Sequence, residues 1–185
     1  NNYVAQGKFF RAYGYFWLVK EFGDVPYISA PYTSTEGMYK ERIPSAQIYD
    51  YIEKATTDSG ERYENFDHYR FQGIEKDLLE IVEGDALPNK TFYDNGCYVT
   101  KSMAQTLLAQ VYLQRAGAPL NGGTEYYDKA AKMALNVINN GPHALIQPNG
   151  SSDDLQSAFN EIKTTKSSNE IIYAKEYNYS DYSVG

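Results

Sequence analysis

The chain has 185 residues, with 17 Lys and Arg against 24 Asp and Glu and a formal net charge of −7. This acidity argues against nucleic acid as a partner, because binding to a phosphate backbone depends on cationic side chains that displace counterions. One cysteine and two histidines exclude an internal disulfide, a Cys/His zinc site of the usual ligand count and most histidine-dependent catalysis.

Tyrosine is the most abundant aromatic residue. The chain contains 19 Tyr, 8 Phe and 1 Trp, which together make up 15% of its residues. Because tyrosine joins a flat ring to a hydroxyl group, it suits helix interfaces and half-solvated surfaces. We expect most tyrosines to pack between helices and a few to form platforms for a flat ligand such as a sugar ring.

The first part of the chain predicts helices separated by a long loop. Residues 4–22 predict a helix that is apolar on nearly every side from Phe9 onward, the pattern of a helix buried by its neighbours. Gly23 then predicts its end. Residues 27–42 contain prolines, glycine and tyrosines without periodicity and predict a loop. Ser45 is predicted to cap a second helix.

The middle of the chain contains a segment without a predicted element, then a predicted helix and a predicted loop. Residues 57–70 are polar and acidic and predict no element. Residues 71–83 predict a third helix, and residues 87–96 predict a turn-rich loop.

The next part predicts a helical hairpin. Thr100 is predicted to cap its first helix, and Thr124 its second. The inward face predicted for the first comprises Met103, Ala104, Leu107, Leu108, Val111 and Tyr112. The inward face predicted for the second comprises Tyr127, Ala130, Ala131, Ala134, Leu135 and Ile138. Two consecutive helices with alanines where the backbones approach are the unit of a tetratricopeptide (TPR)-like hairpin.

The last part predicts a short helix over residues 151–159 and a short strand over residues 171–174. The predicted fold is therefore mainly α, with TPR-like helical hairpins, long loops and a short strand near the C-terminal end.

Five blocks of residues share a family signature in the same order. They are residues 6–26, 42–52, 99–113, 127–138 and 169–174. Together they resemble the SusD/RagB-like outer-membrane nutrient-binding proteins. The long acidic stretch between residues 57 and 95 departs from the family pattern.

The resemblance implies a binding protein and not an enzyme. Such proteins are helical lipoproteins on the outward face of the outer membrane, where they cover a SusC-like TonB-dependent transporter and capture oligosaccharides or, in some members, peptides. We expect residues 1–185 to be an internal part of one such domain, with the lipid-anchor region upstream and a loop-rich part downstream.

The segment after the predicted strand is the leading candidate for ligand binding, because the resemblance places it where the family chain enters the ligand loops. It contains Tyr177, Asn178, Tyr179, Asp181 and Tyr182. Tyrosine rings stack on the apolar face of a pyranose, while Asn and Asp side chains hydrogen-bond its hydroxyls. The alternative is a tyrosine-rich edge that packs on further helices.

Tyr32 and Tyr39, in the loop that also holds Tyr27, form a second candidate cluster. The alternative is that these tyrosines simply pin the loop. Arg11, inside an apolar helix, is predicted to pair with a carboxylate or with loop carbonyls.

No cofactor is predicted. Acidic residues occur near position 153, but no loop has the alternating pattern of a calcium site, which leaves a structural calcium ion open but unsupported. No nucleophile–base pair is evident either. Three functions stay open: glycan capture, peptide capture on the same scaffold, and a TPR-like module that only holds a protein partner.

Overall fold

The structure is a computed structural model that describes residues 1–28, 32, 34–35, 38–49, 73–146, 152–164 and 168–175. Within these ranges the chain is mainly helical, which confirms the predicted fold class. The helices are α1 (Asn2–Phe22), α2 (Ser45–Tyr49), α3 (Ile74–Glu83), α4 (Lys101–Ala116), α5 (Thr124–Asn140) and α6 (Ser152–Thr164). The strands are β1 (Val25–Pro26) and β2 (Arg42–Ile43).

Four of these helices pack in a row. α1 contacts α3, α3 contacts α4, and α4 contacts α5 in the most extensive helix pairing of the described residues. α2 lies against both α1 and α3. The predicted hairpin is therefore present as α4 and α5, joined by residues 117–123.

The core lies between α1, α3 and α4. α1 contributes residues spaced alternately four and three apart, which places them on one face of a helix. They are Ala5, Phe9, Ala12, Phe16 and Val19. α4 contributes all six residues of its predicted inward face, and each of them is buried.

The helix ends follow capping chemistry, with two departures from prediction. The Thr100 hydroxyl accepts the Met103 N–H at 3.3 Å, as expected of a cap. Thr124 was wrongly predicted to cap α5, because Gly123 occupies that position with a φ of 72°. Ser45 is also helical and not a cap, since its own N–H is bound by a carboxylate oxygen of Asp24 at 2.8 Å.

α1 differs from the predicted helix buried on nearly every side. Within the described part of the chain only the face toward α3 is buried, and Phe10, Trp17, Leu18 and Phe22 are exposed. α3 is the element that α1 contacts most among the described residues, with smaller contacts to α2, α4 and β1.

The prediction of which residues of α5 face inward is wrong except for Ala130. Tyr127, Leu135 and Ile138 are 50–70% exposed. The residues packed toward α4 lie on a neighbouring stripe, and they are Tyr126, Ala130, Met133 and Val137. Tyr126 sets this rotation, because its ring lies 4.4 Å below the Arg115 guanidinium and 6.1 Å from the Tyr112 ring, both on α4.

The predicted strand over residues 171–174 is absent from the structure. Ile172 and Ala174 instead pack half-buried on the core. The residue before this segment is tied to a distant part of the chain, since the Glu170 carboxylate accepts the Ile146 N–H at 2.9 Å. In the described ranges no strand lies beside residues 171–174. Their apolar side chains therefore pack on the core, while their backbone forms no strand pairing.

The sequence analysis did not predict the one pair of β-strands that the described residues form. β1 and β2 pair antiparallel, with Val25 opposite Ile43 and Pro26 opposite Arg42. Two residues per strand are too few to produce a recognisable alternation of apolar and polar side chains.

A buried ion pair joins α1 to α3, as predicted for Arg11. Its Nε and one terminal nitrogen donate to the two carboxylate oxygens of Asp77 at 2.8 and 2.9 Å. Asp77 is fully buried. Burial raises the pKa of Asp77, while the hydrogen bonds and positive charge of Arg11 act in the opposite direction.

Two further ion pairs extend this connection along α3. Lys8 of α1 binds Glu80, and Arg115 of α4 binds Glu75 at 2.6 Å. α3 therefore holds α1 on one side and α4 on the other through acidic side chains spaced along its length.

We expect the substitution Asp77→Leu to lower the free energy of unfolding by about 1.5–3 kcal/mol, because it removes the two hydrogen bonds that the Arg11 guanidinium makes to this carboxylate. The double variant Arg11→Met/Asp77→Leu should be less destabilised than Asp77→Leu alone. Urea denaturation of the four proteins of this cycle measures the coupling. Additive losses from the two single substitutions would contradict it.

Two glycines offer a matched pair of alanine substitutions. A Cβ atom at Gly122 would lie 2.5 Å from the Tyr126 ring and 2.8 Å from the Arg115 carbonyl oxygen. We expect Gly122→Ala to cost about 1–3 kcal/mol. A Cβ at Gly14, inside α1, meets no described atom within 4 Å, so Gly14→Ala should add about 0.5–1 kcal/mol. Thermal denaturation tests both, and shifts of the same sign would refute this account.

Candidate functional site

The leading sequence candidates are not described by the structure. Tyr177, Asn178, Tyr179, Asp181 and Tyr182 all lie outside the described residues. Their role in ligand binding stays a prediction.

The second cluster, Tyr32 and Tyr39, is exposed on the loop after α1. Tyr39 is fully exposed and Tyr32 is 37% exposed. The base of the loop is closed by the pairing of β1 with β2. Both rings are therefore accessible to a ligand in the described part of the chain.

Tyr15 of α1 fixes the first residues of this loop. Its hydroxyl accepts the Ile28 N–H at 2.8 Å, and its ring lies 6.5 Å from the Tyr27 ring. Burial raises the pKa of Tyr15. Tyr27 packs against Tyr15, whereas Tyr32 and Tyr39 are exposed. The role of Tyr32 and Tyr39 in ligand binding stays a prediction.

A cavity of about 400 Å³, which we call the Tyr173 cavity, opens between α1, the turn before α4 and the segment that ends at Lys175. This volume lies within the range of roughly 300–1,000 Å³ typical of small-molecule sites. Its walls include Phe10, Phe92, Val99, Met103, Tyr173 and Lys175. In the sequence, Lys175 is two residues before Tyr177, the first residue of the predicted ligand segment.

Edge-on ring contacts position Tyr173 in this cavity. Its ring centre lies 5.7 Å from that of Phe92 and 6.4 Å from that of Tyr13, both at steep interplanar angles. Such T-shaped contacts stabilise aromatic pairs. Tyr173 nevertheless remains 41% exposed and Phe10 53% exposed, so both keep surface for a ligand.

Lys175 supplies the charge of the described cavity lining. Its ammonium nitrogen lies 5.6 Å from the centre of the Tyr13 ring, within the range of a cation–π contact. The remaining lining residues are apolar or aromatic, apart from the exposed thiol of Cys97. The cavity therefore offers aromatic surface to a flat ligand, and its described walls hold no nucleophile–base pair and no pair of carboxylates.

A second cavity, of about 410 Å³, lies between the first turns of α1 and the end of α3. Its walls include Val4, Ala5 and Ile81, together with Lys8 and Glu80. These two charged residues bind each other.

Sequence reasoning missed both cavities. Phe10 and Tyr173 stand in two separate family blocks, and nothing in their spacing indicates that they meet. Among the described residues there is no group of three or more His, Cys, Asp and Glu side chains that could hold a metal ion. The described helices also include none long and apolar enough to cross a membrane.

Comparison with known proteins gives one informative match. No protein-family model matches the chain, and no curated protein does so. The chain is similar to the crystal structure of a SusD superfamily protein from Parabacteroides distasonis, with 32% sequence identity and a TM-score of 0.58. The match covers 79% of this chain and 26% of the other, so the chain spans about a quarter of the length of that protein.

This match agrees with the family blocks of the sequence and with the mainly helical architecture. The resemblance is thereby confirmed: the chain has the fold of the SusD superfamily.

Proposed function

We propose that the chain forms part of a non-catalytic glycan-binding lipoprotein of the outer membrane, which captures oligosaccharides and passes them to a SusC-like TonB-dependent transporter. The observation that carries the proposal is the exposure of Tyr32 and Tyr39 on the loop after α1 of a SusD-like scaffold. The aromatic walls of the Tyr173 cavity add a second surface suited to a sugar ring.

Glycan capture at these positions needs neither a cofactor nor a catalytic group. A single stacked ring contributes little affinity, so an oligosaccharide gains by contacting several surfaces at once. The proposal assigns such surfaces to the exposed tyrosines of the loop and to the Tyr173 cavity.

The membrane location and the transporter belong to the proposal through the family alone. In this proposal residues 1–185 are an internal part of a single helical domain, whose lipid anchor lies upstream and which faces outward from the cell. The acidic surface, at a net charge of −7, disfavours nucleic acid as an alternative partner.

Protein binding is the second candidate function. It is favoured by the exposed apolar stripe of α5, which contains Tyr127, Leu135 and Ile138, because contiguous exposed apolar surface often marks a protein interface. Peptide capture, the third candidate, would use the same exposed tyrosines as glycan capture.

We expect Tyr39→Ala to weaken glycan binding about three- to tenfold, the range of one aromatic contact. Tyr3→Ala is the matched control, since Tyr3 is 82% exposed on α1, away from the loop. Isothermal titration against a panel of oligosaccharides measures both variants. Binding of oligopeptides without any response to glycans would replace the sugar proposal with peptide capture.

A second experiment separates ligand capture from protein binding. Replacement of Tyr179 and Tyr182 by Ala should reduce ligand uptake while the complex with the transporter stays intact, because these residues are assigned to the ligand. Uptake assays and copurification of the transporter report the two effects independently. Loss of the complex with unchanged ligand binding would favour the protein-interaction function.

A further inference from the structure

We propose that the ligand surface of the Tyr173 cavity continues along α1 to Trp17, and that the two together bind a linear oligosaccharide longer than a disaccharide. The proposal rests on the glycan-binding function above and specifies the length and shape of the ligand. It joins three features: the exposed rings of Phe10 and Trp17, the open position of Gly14 between them, and the contacts of Tyr13 with both Trp17 and Tyr173.

Phe10 and Trp17 lie on the same face of α1. Seven residues separate them, which is close to two turns of an α-helix and corresponds to about 10.5 Å along its axis. Phe10 is a wall of the Tyr173 cavity, whereas Trp17 lies beyond its described lining. The two side chains are 53% and 40% exposed. A ligand that contacts both rings therefore has to extend beyond a single sugar residue.

Gly14 leaves the surface between these two rings open. It lies four residues after Phe10 and three before Trp17, so it belongs to the same face of the helix. A Cβ atom at Gly14 would meet no described atom within 4 Å. No side chain at this position separates the cavity from Trp17.

Ring contacts join Trp17 to the cavity and hold it in place. The ring centre of Tyr13 lies 6.2 Å from that of Trp17 and 6.4 Å from that of Tyr173. The Trp17 ring also lies 6.3 Å from the ring of Phe16, which is buried in the core. The ammonium nitrogen of Lys20 lies 4.5 Å from the centre of the Trp17 ring, a cation–π contact. A ligand thus meets an ordered ring, which reduces the entropy lost on binding.

The straight axis of α1 favours an extended ligand. Residues on one face of a helix follow its axis, so the surface from Phe10 to Trp17 runs in one direction. Each aromatic contact contributes modestly, and a ligand that reaches a second ring gains affinity because its first contact already holds it nearby. A disaccharide in the cavity would use only the first part of this surface.

The experiment is isothermal titration with the disaccharide and the hexasaccharide of the linear cello-, xylo- and malto-oligosaccharides. We expect the hexasaccharide of a series that binds to bind about three- to tenfold more tightly than its disaccharide, the range of one further aromatic contact. Because the chain contains one tryptophan, its intrinsic fluorescence reports on Trp17 directly. The hexasaccharide should change the tryptophan emission, whereas the disaccharide should leave it unchanged.

Variants assign the gain with length to α1, because a long ligand could also reach another surface. Trp17→Ala should remove most of the gain and leave the affinity for the disaccharide unchanged, whereas Trp17→Phe should retain part of it. Gly14→Leu should reduce the gain as well, because its side chain stands between the two rings. Phe22→Ala is the matched control, since Phe22 is 68% exposed on α1 but lies on a different face, and it should have no effect.

A gain with length that survives in Trp17→Ala, or a tryptophan emission that stays constant while the hexasaccharide binds, overturns the inference while the glycan-binding function stands. Equal affinity for the two lengths does the same. Failure to bind any glycan of these series or of the panel above overturns both. Circular dichroism of each variant confirms that the fold is intact, which the exposure of Trp17 and the open position of Gly14 lead us to expect.

Discussion

The buried pair of Arg11 and Asp77 is the constraint on which the arrangement of the helices depends. A fully buried carboxylate must be matched by a cation at hydrogen-bonding distance, so α1 and α3 can pack in few registers. In the register that both hydrogen bonds of Arg11 allow, Lys8 reaches Glu80 one turn away. The aliphatic core supplies most of the driving force for folding, whereas the charged pairs along α3 specify one alignment of α1 and, through Arg115, of α4.

Because α1 is fixed in this way, its side chains position both parts of the candidate site. Tyr15 holds the start of the loop that exposes Tyr32 and Tyr39, and Tyr13 and Phe10 contribute to the Tyr173 cavity and its ring cluster. The same helix thus connects the hydrophobic core, the ion pair and the surfaces assigned to a ligand. A change in the register of α1 would shift all of these surfaces together.

Local signals in the sequence predicted the fold well, and non-local contacts account for the failures. The inward face of α4 was read from its periodicity, and the pairing of Arg11 followed from a charge inside an apolar helix. For α5 the periodicity allowed two apolar stripes, and contacts of Tyr126 with Arg115 on another helix decided between them. The extended residues 171–174 have the composition of a strand, but a strand forms only beside a partner. The Tyr173 cavity joins Phe10 to Lys175, which are far apart in sequence, so no local pattern could reveal it.

The two apolar stripes of α5 have a practical consequence for handling the protein. One stripe packs against α4. The other, which contains Tyr127, Leu135 and Ile138, is exposed to water. An apolar residue on α5 therefore does not necessarily contribute to the stability of the fold. The side chains of the outer stripe stay hydrated, so they gain no free energy from burial. At high concentration such a surface promotes self-association, so the outer stripe rather than the core would limit how far the chain can be concentrated.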